Sequence, residues 1–384
     1  MTEPSTRNPG IDALRGLSIL LVVLHHIALR IPLKDTALAD VVPKRVLAAL
    51  SWNGWSAVFV FFVISGFLIA LHSLQRWGSL SRIDLRGFYV RRAARILPLL
   101  LALLAVLSLL HVAGVDGYVI DKPGQSLDGA LFATLALHLN WYEGVTGWLP
   151  GNWDVLWSLS IEELFYLGFP LACLLLRDRL LFAACALAAA SLPVFLAQLE
   201  GANEIWQEKA YLPGIAAIAM GICGALFAAR VPARLRVAPM LCAVGGIGLV
   251  AALLFGPWLW RAIGNGTMLV LTTSVACLLV GLHWRQRLAP AAPMRGLGWL
   301  RAQGRLSYEI YLTHMFVVFS AVALFRASGG DMRNGWLWYP PIVLACWALG
   351  ALVARALSEP CDRAIRRRWL APRIPASTAQ IEPA

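Results

Sequence analysis

Charged residues are scarce in this chain. Asp, Glu, Lys and Arg make up 14% of its 384 residues, while 59% are hydrophobic; soluble domains carry about 25% charge. That balance excludes a water-soluble globular domain. Paired cysteines are also lacking: none of the seven (Cys173, Cys185, Cys223, Cys242, Cys277, Cys346, Cys361) forms a CxxC pair. Most lie in or beside apolar runs, where a thiol packs as a small hydrophobe. No His/Cys/acid group has ligand spacing, so no metal site is expected. There is no internal repeat and no second soluble block. The short polar start leads into an apolar stretch with no small-residue cleavage site behind it, which predicts a retained helix.

Apolar runs of near-spanning length are what the chain has in abundance. They fall at roughly 12–31, 55–74, 96–113, 130–142, 158–176, 180–198, 211–229, 237–256, 266–284, 306–325 and 340–358; a helix needs about 20 such residues to cross the hydrocarbon core. In lipid the backbone must satisfy itself, so helices are the expected form. The expected fold is an all-α, polytopic membrane helix bundle of about ten spanning helices. Run 130–142 is short and reads as re-entrant or peripheral. The net charge of +12 would suggest nucleic acid in a soluble protein. Here the basic residues flank apolar runs, so orientation in a bilayer explains them and no nucleic-acid partner is expected. Arg76, Arg82, Arg86, Arg91, Arg92 and Arg95 share one side with Arg177, Arg230, Arg285 and Arg363 when 130–142 does not cross. That places both termini in the cytoplasm of a cell (inner) membrane protein. The expected organisation is a cytoplasmic segment 1–10, a membrane domain 11–360 and a basic, disordered cytoplasmic tail 361–384.

Ionisable groups inside spans are costly and point to function. The first span, IDALRGLSILLVVLHHI, holds Asp12, Arg15, His25 and His26. Arg15 and His26 are eleven residues apart, hence within about 20° of one face and about 16 Å apart along the axis. His25 points about 80° away from that face. The spacing predicts a polar seam running into the membrane, with Asp12, three residues from Arg15, holding the guanidinium. In FFVISGFLI, Ser65-Gly66 suits close helix packing. FYVRRAARILP gathers Arg91, Arg92 and Arg95, a set suited to a phosphate-bearing ligand at the cytoplasmic face. GNWDVLWSLSIEELFYLGFP follows. Its Ser160 and Glu163 have capping-box spacing, which leaves Glu162 as the carboxylate available to orient a histidine or a hydroxyl. Asn152 and Trp157 in that stretch are supporting candidates. In RLSYEIYLTHM, Tyr311 and His314 share a helix face and join them.

In this order, the Arg15–His26 spacing, FFVISGFLI, RRAARILP, WSLSIEELFY and SYEIYLTH resemble the type-3 acyltransferases, a family of polytopic membrane enzymes. The resemblance covers about residues 10–360. It implies transfer of an acyl group, usually acetyl, from acyl-CoA to a hydroxyl, typically on a sugar or glycan. It also implies that Arg15 and His26 are essential, that Arg92 and Arg95 contact CoA, and that the motif glutamate is Glu162. Acyl-CoA enters as donor substrate, with no tightly bound cofactor. Some members append an esterase domain after the last helix. The chain ends at Ala384, soon after Ser358–Pro360, and none is expected. On this reading His26 is the general base, Arg15 meets negative charge near the thioester, and Glu162 is a third catalytic candidate. The alternative is a transporter or flippase of a lipid-linked or acylated glycan; the lack of two related halves counts against it.

Overall fold

The computed structural model describes residues 7–289 and 296–370. Helix α1 (Pro9–Ala28) begins at Asn8, whose side-chain oxygen accepts from Gly10 and Ile11 N–H, with Pro9 in the first turn where its missing N–H costs nothing. A short α2 (Lys44–Trp52) leads to α3 (Gly54–Trp77), which stops at the left-handed Gly78, φ 73°. Helix α4 (Leu85–Val112) is capped by Asp84. Short helices α5 (Leu127–Leu135), α6 (Leu139–Thr146) and α7 (Gly151–Asp154) precede α8 (Trp157–Leu175). Then come α9 (Asp178–Ala190), α10 (Leu192–Ala197), α11 (Glu204–Lys209), α12 (Tyr211–Arg230) and α13 (Val237–Leu254). The chain continues through α14 (Gly256–Ile263), α15 (Gly266–Leu288), α16 (Gly298–Arg305), α17 (Ser307–Ala327), α18 (Tyr339–Val353) and α19 (Glu359–Leu370).

Among the described residues there is no strand, and nine helical segments are long and apolar enough to cross a membrane. The protein is an all-helical, multi-pass membrane bundle. The remaining expected span, 180–198, forms as two pieces, α9 and α10. Pro193 cannot donate to the preceding turn, so the helix restarts there. Run 130–142 forms two short helices, α5 and α6, reversed at Leu137, φ 61°. Tyr211 donates its hydroxyl to Leu137 O at 2.7 Å, and Asn140 Nδ2 donates to Lys209 O at 2.6 Å, which ties this pair to the α11–α12 junction. One expectation changes: residues 361–370 are not tail but the helix α19, packed on α4, with Arg86 Nη2 donating to Trp369 O at 3.2 Å. Residues 371–384 lie outside the described residues.

The apolar windows of α1, α3 and the 204–230 segment are 67%, 72% and 67% buried, against 22% for α13. Helices α1, α3 and α12 are therefore the centre, and α13 faces outward. Helices α3 and α12 meet backbone to backbone. A methyl group on Gly66 would overlap Ile218 O, and one on Gly221 would overlap Val63 O. Small residues permit that approach, as expected for Ser65-Gly66. Gly16 and Gly304 do the same for α1 and α16.

Candidate active site

Four long helices, α1, α3, α4 and α17, together with α8, enclose a cavity of about 160 Å³. Arg15, Ser65, Arg92, Arg95, Glu162 and Tyr311 all line it, so six of the thirteen expected site residues converge there, and His26 and His314 are not among them. The cavity is held by paired polar groups. Arg15 Nη2 donates to Ser307 Oγ at 2.8 Å. Arg95 forms a 2.9 Å ion pair with Glu309, whose side chain is 1% exposed. Tyr166 donates to Glu162 Oε2 at 3.3 Å and lies 2.6 Å from Ser65 Oγ. Tyr166 has one hydroxyl proton and gives it to Glu162, so the order is Ser65 to Tyr166 to Glu162. The guanidinium of Arg92 sits 4.4 Å from the centre of the Tyr166 ring. Cation–π contact and the nearby carboxylate together fix Arg92 without closing the cavity.

The inner wall is Ser158 and Tyr311. Ser158 donates to Tyr311 Oη at 2.8 Å, and Tyr311 donates to Val155 O at 2.9 Å. Behind this wall, with ring centroids 6.0 Å from Tyr311, stands His314, and against His314 stands His26, with centroids 4.9 Å apart. The seam predicted on α1 therefore exists and runs along α17: Arg15 meets Ser307 and His26 meets His314. It is interrupted by Tyr311.

Backbone carbonyls set the histidine tautomers. His314 Nδ1 is 2.7 Å from Tyr311 O. A carbonyl only accepts, so this nitrogen carries the proton and a neutral His314 presents Nε2 as an acceptor. His26 Nδ1 lies 2.9 Å from Val22 O and 3.2 Å from His314 Nε2, so it too carries its proton. The consequence is a bare lone pair on His26 Nε2. His314 is fully buried, whereas His26 keeps accessible surface. Arg30 Nη1 donates to His26 O at 2.9 Å and its guanidinium stacks over Phe319, which steadies the end of α1.

Other expected residues lie elsewhere. Asp12 takes Arg7 Nε at 3.1 Å; Arg15 is instead held by Ser307, the correction being that chain preceding the Asn8 cap folds back within reach of Asp12. His25, as its angle predicted, turns away, with Nδ1 2.8 Å from Ser51 O and its ring against Trp52. Glu162 bonds Tyr166 and not His26; among the described residues the groups that orient His26 are Val22 and His314. Asn152 is buried on α7, and Trp157 begins α8 edge-on to Phe62; neither lines the cavity. The capping box does not form. Helix α8 starts at Trp157, so Ser160 and Glu163 are already inside it. Arg91 lies outside the cavity, at a neighbouring basic pocket.

Sequence reasoning passed over Ser158, Tyr166 and Ser307 in the cavity and Glu309 beside it. Tyr166 stands four residues after Glu162 and Glu309 sits inside a span, so both carried a local signal. A buried triad was also missed: Lys209 pairs with Glu143 at 2.9 Å and with Asp154, and its Nζ is 4.0 Å from the Trp148 ring centre. Among the described residues no group of His, Cys, Asp and Glu could hold a metal ion.

Known proteins share this sequence pattern. The acyltransferase domain family matches residues 8–366. The acyltransferase MdmB of Streptomyces mycarofaciens is 28% identical over 400 aligned residues, 94% of this chain and 93% of that protein. The peptidoglycan O-acetyltransferase OatA of Listeria monocytogenes is 28% identical over 171 residues, 42% of this chain and 23% of its own length. A putative O-acetyltransferase of Staphylococcus aureus is 28% identical over 166 residues, 42% of this chain and 24% of its own. This chain thus aligns with under a quarter of those two proteins. No solved structure matches it. A match that runs from the Asn8 cap of α1 into α19 takes in every residue of the cavity and the histidine pair, and the chain belongs to the type-3 acyltransferase family.

Proposed function

We propose that this membrane acyltransferase moves an acyl group, usually acetyl, from acyl-CoA to a hydroxyl of a sugar or glycan, with His26 as general base. The observation that carries the reading is the pairing of His26 Nδ1 with Val22 O and His314, which leaves Nε2 without a proton, on the far side of Tyr311 from the arginine-lined cavity. Donor phosphates meet Arg92 and Arg95, with Arg91 alongside, and the thioester arm enters the cavity past Arg15. Tyr311 swings from Val155 and Ser158 to bring thioester and His26 together. His26 Nε2 takes the acceptor's proton as its oxygen bonds the acyl carbon. The C–S bond then breaks, and the leaving thiolate takes the proton back from Nε2. Arg15 offsets negative charge on the acyl oxygen and sulfur. Base assistance of this kind contributes roughly 10²–10⁴-fold. Glu162, through Tyr166, holds Arg92 over the donor path. The names of the relatives, an O-acetyltransferase of peptidoglycan among them, support a glycan acceptor. The basic ends of α3, α4 and α19 support a donor arriving from the cytoplasm, with both termini on that side of the cell membrane.

Purified protein with acetyl-CoA and extracted cell glycan tests this through release of free CoA thiol. Release that depends on glycan is expected. Binding of acetyl-CoA without thiol release, together with movement of a lipid-linked sugar across vesicles, would overturn it in favour of transport.

A further inference from the structure

A second cavity, of about 350 Å³, adjoins the first and shares Arg92 and Arg95 with it. Five arginines line it: Arg76 from α3, Arg91, Arg92 and Arg95 from α4, and Arg366 from α19. No carboxylate lines it. Glu309 offsets Arg95 and Asp362 offsets Arg366, at 2.9 and 2.8 Å, but Arg76, Arg91 and Arg92 form no ion pair among the described residues. Three guanidinium groups thus face one space with no carboxylate in direct contact with them, an arrangement that favours an entering anion. A second observation points the same way. Arg91 Nε is buried with no hydrogen-bond acceptor, a donor waiting for a partner. The apolar side of the cavity is Trp77 and Phe88, rings 6.5 Å apart.

The anion must fit both cavities. We propose that this pocket holds the 3′-phosphate of coenzyme A, with Arg76 and Arg366 as the residues that distinguish CoA from its 3′-dephospho form. The inference rests on the acyl-CoA reading above. A diphosphate at the shared Arg92 and Arg95 sends the linear pantetheine arm into the first cavity. It leaves the nucleotide on the other side, its base against Trp77 and Phe88. The phosphomonoester, carrying about −1.5 to −2 at neutral pH, then faces Arg76, Arg91 and Arg366. Helix α19 thereby gains a role in donor selection, because its docking on α4 carries Arg366 to the pocket.

Kinetics with acetyl-CoA and acetyl-3′-dephospho-CoA on the purified full chain in neutral-lipid nanodiscs test this. Wild type is expected to show a KM lower by about tenfold or more for acetyl-CoA, the least that one charge-assisted hydrogen bond to the phosphate supplies. In Arg76→Ala and Arg366→Ala that ratio falls toward one, and Arg366→Lys restores part of it. Turnover of the dephospho donor by each variant reports that it is folded. Equal KM values for the two donors in wild type, as for a pocket that takes anionic lipid headgroups instead, would overturn the proposal. So would an unchanged ratio in both alanine variants. Calorimetry with CoA separates the levels: no binding of either nucleotide would sink the acyl-CoA reading itself, whereas equal binding of both would sink only the 3′-phosphate assignment.

Discussion

His314 lines no part of the cavity but touches both His26 and Tyr311, and a double-mutant cycle separates its action through His26 from any action through the wall. His26 Nδ1–H is shared between Val22 O at 2.9 Å and His314 Nε2 at 3.2 Å. His314→Phe keeps an aromatic ring, though a larger one, and removes the more distant acceptor together with the Nδ1–H bond to Tyr311 O, while the Val22 carbonyl continues to hold the His26 tautomer. The loss is that of one neutral hydrogen bond, about 0.5–1.5 kcal/mol, or roughly 2- to 10-fold in kcat. His26→Ala removes the base and loses roughly 10²–10⁴-fold. A double-mutant cycle exposes the dependence. With His26 already alanine, His314→Phe should cost nothing further, and His314→Gln, which retains an acceptor, should recover part of the wild-type rate. The assay is single-turnover transfer of labelled acetyl from acetyl-CoA to extracted glycans, at matched amounts of folded protein. An equal loss from His314→Phe in both backgrounds would refute a role exerted through His26.

Three other perturbations follow from the packing and charges. Gly221→Ala would press a methyl group into the backbone of α3 at Val63, whereas Gly246→Ala meets nothing within 4 Å; fluorescence-detected gel filtration should show loss of folded protein for the first. The second should be neutral or gain up to about 1 kcal/mol from helix propensity. Lys209→Met would leave Glu143 facing Asp154 with no cation, at a cost of about 3–5 kcal/mol, set toward the lower end because Asp154 is 20% exposed; thermal melting in detergent should drop, and adding Glu143→Gln should recover part. Arg15→Lys keeps the charge but loses the guanidinium geometry that reaches Ser307, so kcat/KM for acetyl-CoA should fall about 10- to 100-fold, as for loss of a charged hydrogen bond of about 1.5–3 kcal/mol.

The spans were legible because they are local. Length and hydropathy mark the spans. Angular arithmetic on one helix separated His26 from His25, and the two rings do diverge. What could not be read was who meets whom. His26 and His314 are 288 positions apart, and Arg15 and Ser307 are 292 apart, so those pairings appear only when α1 packs on α17. Local rules failed where tertiary contacts overrode them. Ser160–Glu163 has the spacing of a cap, but α8 begins one turn earlier. Arg15 has an acid three residues before it, but that acid is taken by Arg7. The expected tail was drawn from residue 361; packing on α4 makes 361–370 helical.

Membranes carrying wild type or His26→Ala at equal levels, given labelled acetyl-CoA and extracted glycan, test the central claim most directly. The account predicts label in the glycan with wild type and a loss of roughly 10²-fold or more with the mutant. Equal labelling by the two would contradict it and remove the base from His26.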